Sequence, residues 1–277
     1  METVAIVGVG LIGGSFGLAL KRAGFRGSIF GASSHTTIAA AMKRGAIDEG
    51  LPLPDAAARA DVVYLAQPIG RILDALRHLD GMVRPGTLIT DAGSTKSSIV
   101  AAARLHLRRA VFLGGHPMAG KEKRGVAEAD ADLFRGRTYV LTPEDGQALD
   151  APLVSEFVEW IRRIGATPVV MNAAEHDRVV SFTSHLPQLA ATALAATVAE
   201  NAGDKLAVAG PGLKDTTRLA LSSFELWRDI LATNSGPIEQ ALAAYISKLE
   251  HLRDNLRTRE IEGEFEIAAA LAATLRK

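Results

Sequence analysis

The chain has 277 residues, room for one extended domain or two unequal ones. Its 31 basic and 31 acidic side chains balance, and no basic run clusters as a phosphate-tracking surface would need, which argues against nucleic acid as a partner. With no cysteine, it can form neither a disulfide scaffold nor a thiolate zinc site nor a cysteine nucleophile.

METVAIVGVG enters the first apolar run without a basic leader or cleavage site. The longest alanine-rich run, LAATALAATVA from Leu189, falls short of a membrane span of about 20 residues. A cytoplasmic protein with no membrane partner is expected.

Thr3–Val7 predicts the first strand, and VGVGLIGGS follows it. Gly8, Gly10 and Gly13 fit the G-x-G-x-x-G/A spacing, ahead of a helix over Ile12–Ala23 and a second strand at Ser28–Phe30, a βαβ unit of about 30 residues. In that context Gly8 permits the turn, Gly10 admits a pyrophosphate close to the backbone, and Gly13 lets the helix sit on the sheet. Leu11 and Ile12, at the helix start, offer free N–H groups and a partial positive charge to the anion. The competing reading is that the glycines only turn a strand into a helix.

A NAD-preferring site places Asp or Glu at the end of the second strand. Here Ala32 stands there, followed by Ser33, Ser34, His35 and Thr36, which bring donors and no negative charge. The reading leans to NADP over NAD, although a polar loop without a cofactor role has the same composition.

Helices are predicted next over Thr36–Arg44, Ile69–His78 and Thr95–Arg104, and strands at Val62–Leu65, Thr87–Thr90, Val111–Leu113 and Thr138–Leu141. This alternation is that of a parallel sheet with crossover helices, with Pro85-Gly86 and Gly114-Gly115 marking strand boundaries. DAGSTK, Asp91 to Lys96, falls at the carboxyl edge of the sheet, where doubly wound folds bind ligands. Within it, Ser94 is a candidate for the site, or Ser94 or Ser97 merely caps the next helix. GGHPMAGKE puts His116 on a loop at the same edge, either as a general base or as a structural histidine. A helix over Gln147–Ile164 and a strand at Thr167–Val170 would complete the sheet at its edge.

After Met171 strand signals stop. Asn172 and Glu175 make a capping box, and helices follow over Ala173–Ser184, Pro187–Glu200, Leu219–Thr233, Ile238–Leu256 and Glu260–Leu275. The expected organisation is an α/β dinucleotide-binding domain over 1–171 and an all-helical domain over 172–277. Ile238, Leu242, Tyr245, Ile246, Leu249, Leu252 and Leu256 share one helix face, packed inside the domain or against a second subunit. SFTSHLPQ holds His185 before a proline-started helix, and GLKDTTR holds Asp215 and Arg218, a surface pair or an anion-binding arginine.

GVGLIGGS, DAGSTK, HPMAG with the following KE, SHLP, and KDTTR followed by LWRDI, in this order from about Val4 to Ile230, closely resemble the prephenate/arogenate dehydrogenases of tyrosine biosynthesis. The resemblance implies a Rossmann-type nucleotide-binding domain, a helical C-terminal dimerisation domain that makes a homodimer, and an active site between them. It implies oxidative decarboxylation of prephenate or arogenate with hydride transfer to NADP or NAD. By the same resemblance His116 is the base or hydrogen-bond acceptor for the substrate hydroxyl, Ser94 helps to position that hydroxyl and the nicotinamide, and Arg218 binds a substrate carboxylate. His185 and Ser184 line the pocket, Glu122 gates its mouth and Trp227 is a pocket-side aromatic.

Two positions depart from the family. Gln188 stands where many members have a second histidine, leaving the choice between keto and amino side chains open, and Pro211 stands where a glycine is expected. A β-hydroxy-acid or imine oxidoreductase would carry a catalytic lysine within 173–200, and that segment has none. A silent dinucleotide-sensing dimer would have lost the polar residues that are present here together.

Overall fold

The computed structural model describes residues 1–121, 123–144, 149–203 and 205–276. Its first half comprises β1 (Thr3–Val7), α1 (Leu11–Arg22), β2 (Ser28–Ala32), α2 (His35–Lys43), β3 (Glu49–Gly50), α3 (Leu53–Arg59), β4 (Val62–Leu65) and α4 (Ile69–Leu79). Then come β5 (Leu88–Asp91), α5 (Ser97–His106), β6 (Val111–Pro117), β7 (Thr138–Thr142), α6 (Pro152–Arg163) and β8 (Thr167–Val170).

The strands form one sheet in the order β3-β2-β1-β4-β5-β6-β7-β8. Their apolar runs are continuous because helices cover both faces: all four residues of VVYL in β4 are buried. On one face Phe16 of α1 stacks on Tyr64 with ring centroids 4.0 Å apart. On the other, α4 lays Ile69, Ile72, Leu76 and Leu79 against the sheet at helical spacing. Full burial of such a side chain contributes roughly 1.5–3 kcal/mol. The strand order reverses between β1 and β4, and ligands of open α/β sheets bind at that crevice.

The structure corrects the expected sheet at its far side. β6 runs antiparallel to β7, so the sheet is not wholly parallel. β6 also continues past Leu113 through Pro117, so Gly114-Gly115 lies inside a strand and His116, paired with Val140, is a strand residue instead of a loop residue. A side chain at Gly115 would come within 2.5 Å of the Asp91 carbonyl oxygen, so the glycine serves close strand packing and not a turn.

α6 opens on Pro152, a favoured first helical residue, whereas the expected start at Gln147 lies outside the described residues. The short β3 and α3, and a seven-residue helix over Pro211–Thr217, lie outside the expected elements, being too brief to show a period.

The second half is helical among the described residues: α7 (Ala173–Val180), α8 (Leu186–Ala202), α9 (Pro211–Thr217), α10 (Phe224–Thr233), α11 (Ser235–Asp254) and α12 (Glu262–Thr274). The Asn172 side chain accepts from Glu175 N at 2.8 Å, as the capping box predicts. α7 and α8 run on through a π turn at Ser181–His185, in which Leu186 N donates to Ser181 O five residues back. Pro187 has no N–H to give, and the wider turn accommodates the missing bond. Pro211 opens α9 after Gly210. The helix expected from Leu219 is divided, with extended backbone at Ser222 and Ser223 between a short 3-10 turn and α10. No described helix is long and apolar enough to cross a membrane.

Candidate active site

The turn from β1 to α1 is tight on both sides. Gly8 has φ +89°, and a side chain there would stand 2.6 Å from Ala66 O at the end of β4. One at Gly13 would stand 2.2 Å from Gly8 O, so only glycine lets α1 come down on the sheet. Gly10, by contrast, faces open space and caps α1 without any side-chain hydrogen bond, and the first turn of α1 carries no acidic residue. The first amides of α1 thus remain available to an anion. Leu11 and Ile12 line a cavity of about 630 Å³ whose wall also includes Ser94 and His116. A pyrophosphate fits this cradle: it needs close backbone approach and uncapped N–H groups, and both are present.

At the end of β2, Ala32 is buried and its carbonyl accepts from Gly8 N at 2.9 Å. Ser33, Ser34, His35 and Thr36 are exposed. Ser34 caps α2 by accepting from Thr37 N, and its hydroxyl also lies 3.3 Å from Thr36 Oγ1, so Ser33 and His35 are the polar groups that this cap does not engage.

His116 is buried and lines the cavity, and the backbone of Gly115 just before it is held by a buried ion pair. Asp91 and Lys96 are fully buried and bonded to each other. Asp91 accepts from Gly115 N at 3.1 Å, while Lys96 Nζ donates to Gly115 O at 2.7 Å. Burial, opposed by Asp91, pushes the Lys96 ammonium below its usual range. Neither Ser94 nor Ser97 caps α5. Asp177 of α7 does so, accepting from Lys96 N at 2.7 Å and Ser97 N at 2.8 Å.

The same carboxylate lies 2.8 Å from His176 Nδ1, and His176 Nε2 lies 2.8 Å from His116 Nδ1. Burial works against charge on Asp177, but hydrogen bonds from His176, Ser97 and Lys96 outweigh it and keep the carboxyl below its usual range. An ionised carboxylate only accepts, so His176 donates from Nδ1, and in its neutral form its Nε2 accepts from His116 Nδ1. That leaves the lone pair of His116 on Nε2. Burial first, then His176, Lys96 and His185, hold His116 well below an ordinary histidine.

His185 is buried in the π turn, 3.1 Å from Asn234 Nδ2, with its ring edge-to-face with Trp227. Burial lowers it to about 4. Trp227 is half-buried and its Nε1 has no partner among the described residues. Gln188 is buried beside Thr192, and Ser184 is half-buried. Arg218 is exposed on the turn after α9, outside the cavity wall, and Glu122 lies outside the described residues. The structure therefore brings Leu11, Ile12, Ser94 and His116 together on one cavity and packs His185 against Trp227, while His185, Trp227 and Arg218 do not line that cavity.

α10 supplies the facing wall with Leu226, Asp229 and Ile230. Asp229 also accepts from Gly70 N at 2.9 Å, fastening α10 to the start of α4.

Residues 16–170 match the family model of the prephenate dehydrogenase nucleotide-binding domain, and 172–273 match that of its dimerization domain. The chain belongs to the prephenate dehydrogenase family. It is 36% identical over 240 residues to a prephenate dehydrogenase of Lactococcus lactis, covering 84% of this chain and 65% of that protein. The crystal structure of prephenate dehydrogenase from A. aeolicus in complex with hydroxyphenyl propionate and NAD+ is 32% identical and superposes with a TM-score of 0.88, over 100% of this chain and 97% of that one. Synechocystis arogenate dehydrogenase is 28% identical with a TM-score of 0.84, over 99% of each chain.

Within this prephenate dehydrogenase fold, sequence reasoning passed over His176, Asp177, Asp229 and Asn234. The pair His176-Asp177 reads as the polar face of a helix, and only the approach of α7 to β6 reveals its partners. The invariant chemistry of a buried carboxylate seeking donors offers no local signal.

Proposed function

We propose that this chain oxidatively decarboxylates a cyclohexadienol of the prephenate/arogenate class, within tyrosine biosynthesis, using a nicotinamide dinucleotide. The observation that carries the reading is the shared cavity: the phosphate cradle at Leu11 and Ile12 and the polar pair Ser94 and His116 open into one space. When bound there, the nicotinamide supplies the hydride acceptor. His116 Nε2, with its free lone pair, takes the hydroxyl proton, and Ser94 orients that hydroxyl. Loss of the ring carboxylate as carbon dioxide follows, driven by aromatisation.

The substrate class is anionic, and Lys121, Lys123, Arg124 and Arg228 stand around the cavity. Arg218 is assigned a substrate carboxylate, with Ser184, His185, Gln188 and Trp227 on the side-chain end of the pocket; the gating acid expected at Glu122 lies outside the described residues. For the dinucleotide, Ala32 and Ser33 to Thr36 present no carboxylate to repel a 2′-phosphate, which supports NADP over NAD.

We take residues 1–171 as the dinucleotide-binding unit and 172–277 as the unit that completes the substrate pocket and pairs two copies. Ile246 and Leu249 of α11 and Leu256 just after it remain 53%, 46% and 70% exposed in one chain, a stripe that a second copy would cover.

The test is a two-by-two assay of prephenate or arogenate with NAD or NADP. A kcat/KM higher with NADP for either substrate supports the reading, and a clear preference for NAD removes the role given to the turn at Ser33–Thr36.

A further inference from the structure

Beyond the reading above, on which it rests, the structure holds a second imidazole behind His116. We propose that His176 and Asp177 act with His116 as a two-ring relay that fixes the tautomer of His116 and receives the charge of the substrate proton one ring further in.

The geometry is continuous. Asp177 Oδ1 lies 2.8 Å from His176 Nδ1, and His176 Nε2 lies 2.8 Å from His116 Nδ1. The two rings meet edge to face, with centroids 5.0 Å apart and planes at 73°. His176 is fully buried, and Asp177 is nearly so. Asp177 cannot turn away, because Lys96 N and Ser97 N at the start of α5 hold its two oxygens.

His116 alone is a poor proton acceptor. It is buried, Lys96 and His185 stand near it, and the buried Asp91 is neutralised by Lys96. A positive charge left on His116 would face that ammonium. The relay removes the difficulty. As the substrate O–H bond breaks, an N–H bond forms at His116 Nε2. The His116 Nδ1–H bond then breaks and an N–H bond forms at His176 Nε2. His116 ends neutral in its other tautomer, and His176 ends as an imidazolium beside the Asp177 carboxylate. One proton enters, one charge is gained, and it rests against an opposite charge in a site of low dielectric. His176 and Asp177 are thus positioning residues acting through His116.

The test uses the full chain and His176→Gln. A glutamine amide can accept from His116 and donate to Asp177, so it keeps the ring in place, but it cannot take up the proton. The relay predicts a kcat loss of about 10²-fold or more in this variant, with substrate KM and dinucleotide Kd within about twofold of wild type. A second readout needs no turnover: in ¹⁵N-histidine spectra of the ligand-free wild type at neutral pH, His116 and His176 both appear as the Nδ1–H tautomer. Wild-type kcat in His176→Gln, or His116 as the Nε2–H tautomer, overturns the relay. Failure of the underlying reading has a different signature, since then His116→Ala itself would retain turnover.

Discussion

Asp91 and Lys96 form an ion pair with no solvent exposure on either side chain, and between them they hold both backbone groups of Gly115, the residue before His116. Breaking one partner of such a pair leaves an uncompensated buried charge. Lys96→Met should therefore destabilise the chain by about 3–5 kcal/mol in denaturant unfolding. A loss under about 1 kcal/mol would show that Asp91 finds another partner or takes up a proton at little cost.

Gly13→Ala sets a methyl group 2.2 Å from Gly8 O, a backbone atom that cannot swing aside. The start of α1 must lift from the sheet, at roughly 1–3 kcal/mol of stability. Because the lifted amides are those of the proposed phosphate cradle, dinucleotide Kd should rise by about tenfold or more, measured by fluorescence titration. An unchanged Kd would detach the cradle from dinucleotide binding.

His116→Gln should lower kcat by about 10²–10⁴-fold, the range for a general base, while leaving dinucleotide Kd nearly unchanged. Stopped-flow absorbance of the reduced nicotinamide separates the chemical step from product release.

Burial lowers His185 from its ordinary 6.5 to about 4, with His176 acting the same way and Asp177 opposing. Above 6.5 both folded and unfolded forms hold it neutral. Between 6.5 and about 4 only the unfolded chain takes up the proton, so stability falls as pH falls through that window, by about 3 kcal/mol from this group. Below about 4 its contribution levels off. His116 is displaced in the same direction and adds to the slope. Denaturant midpoints measured across the window, with His185→Gln flattening the dependence, check the sign.

Ile246 and Leu249 on α11, Leu256 between the helices, and Phe265 and Leu271 on α12 are exposed apolar residues in a single chain. Leu249→Asp should yield monomers in sedimentation velocity where the wild type sediments as a dimer. A variant that remains dimeric would place the interface elsewhere.

Much of the fold was legible because its signals are local. The strand, glycine spacing and helix of Thr3 to Arg22 lie within one short stretch, and β4 and β8 keep the expected bounds Val62–Leu65 and Thr167–Val170. β6 misled because glycine usually interrupts a strand, whereas at Gly115 the neighbouring strand demands it. The relay was invisible for a different reason. His116 meets His176 across 60 residues, and Lys96 N meets Asp177 across 81, so only packing joins them. The stripe on α11 was legible as a stripe, but whether it faced inward could be decided only by seeing which of its residues the chain itself covers.

The most direct measurement is the stoichiometry of the purified chain acting on prephenate or arogenate carrying a labelled ring carboxylate, with NADP or NAD in excess. Oxidative decarboxylation at this site predicts one labelled carbon dioxide released for each nicotinamide reduced. Reduction without carbon dioxide, or no reduction with any of the four combinations, would contradict it.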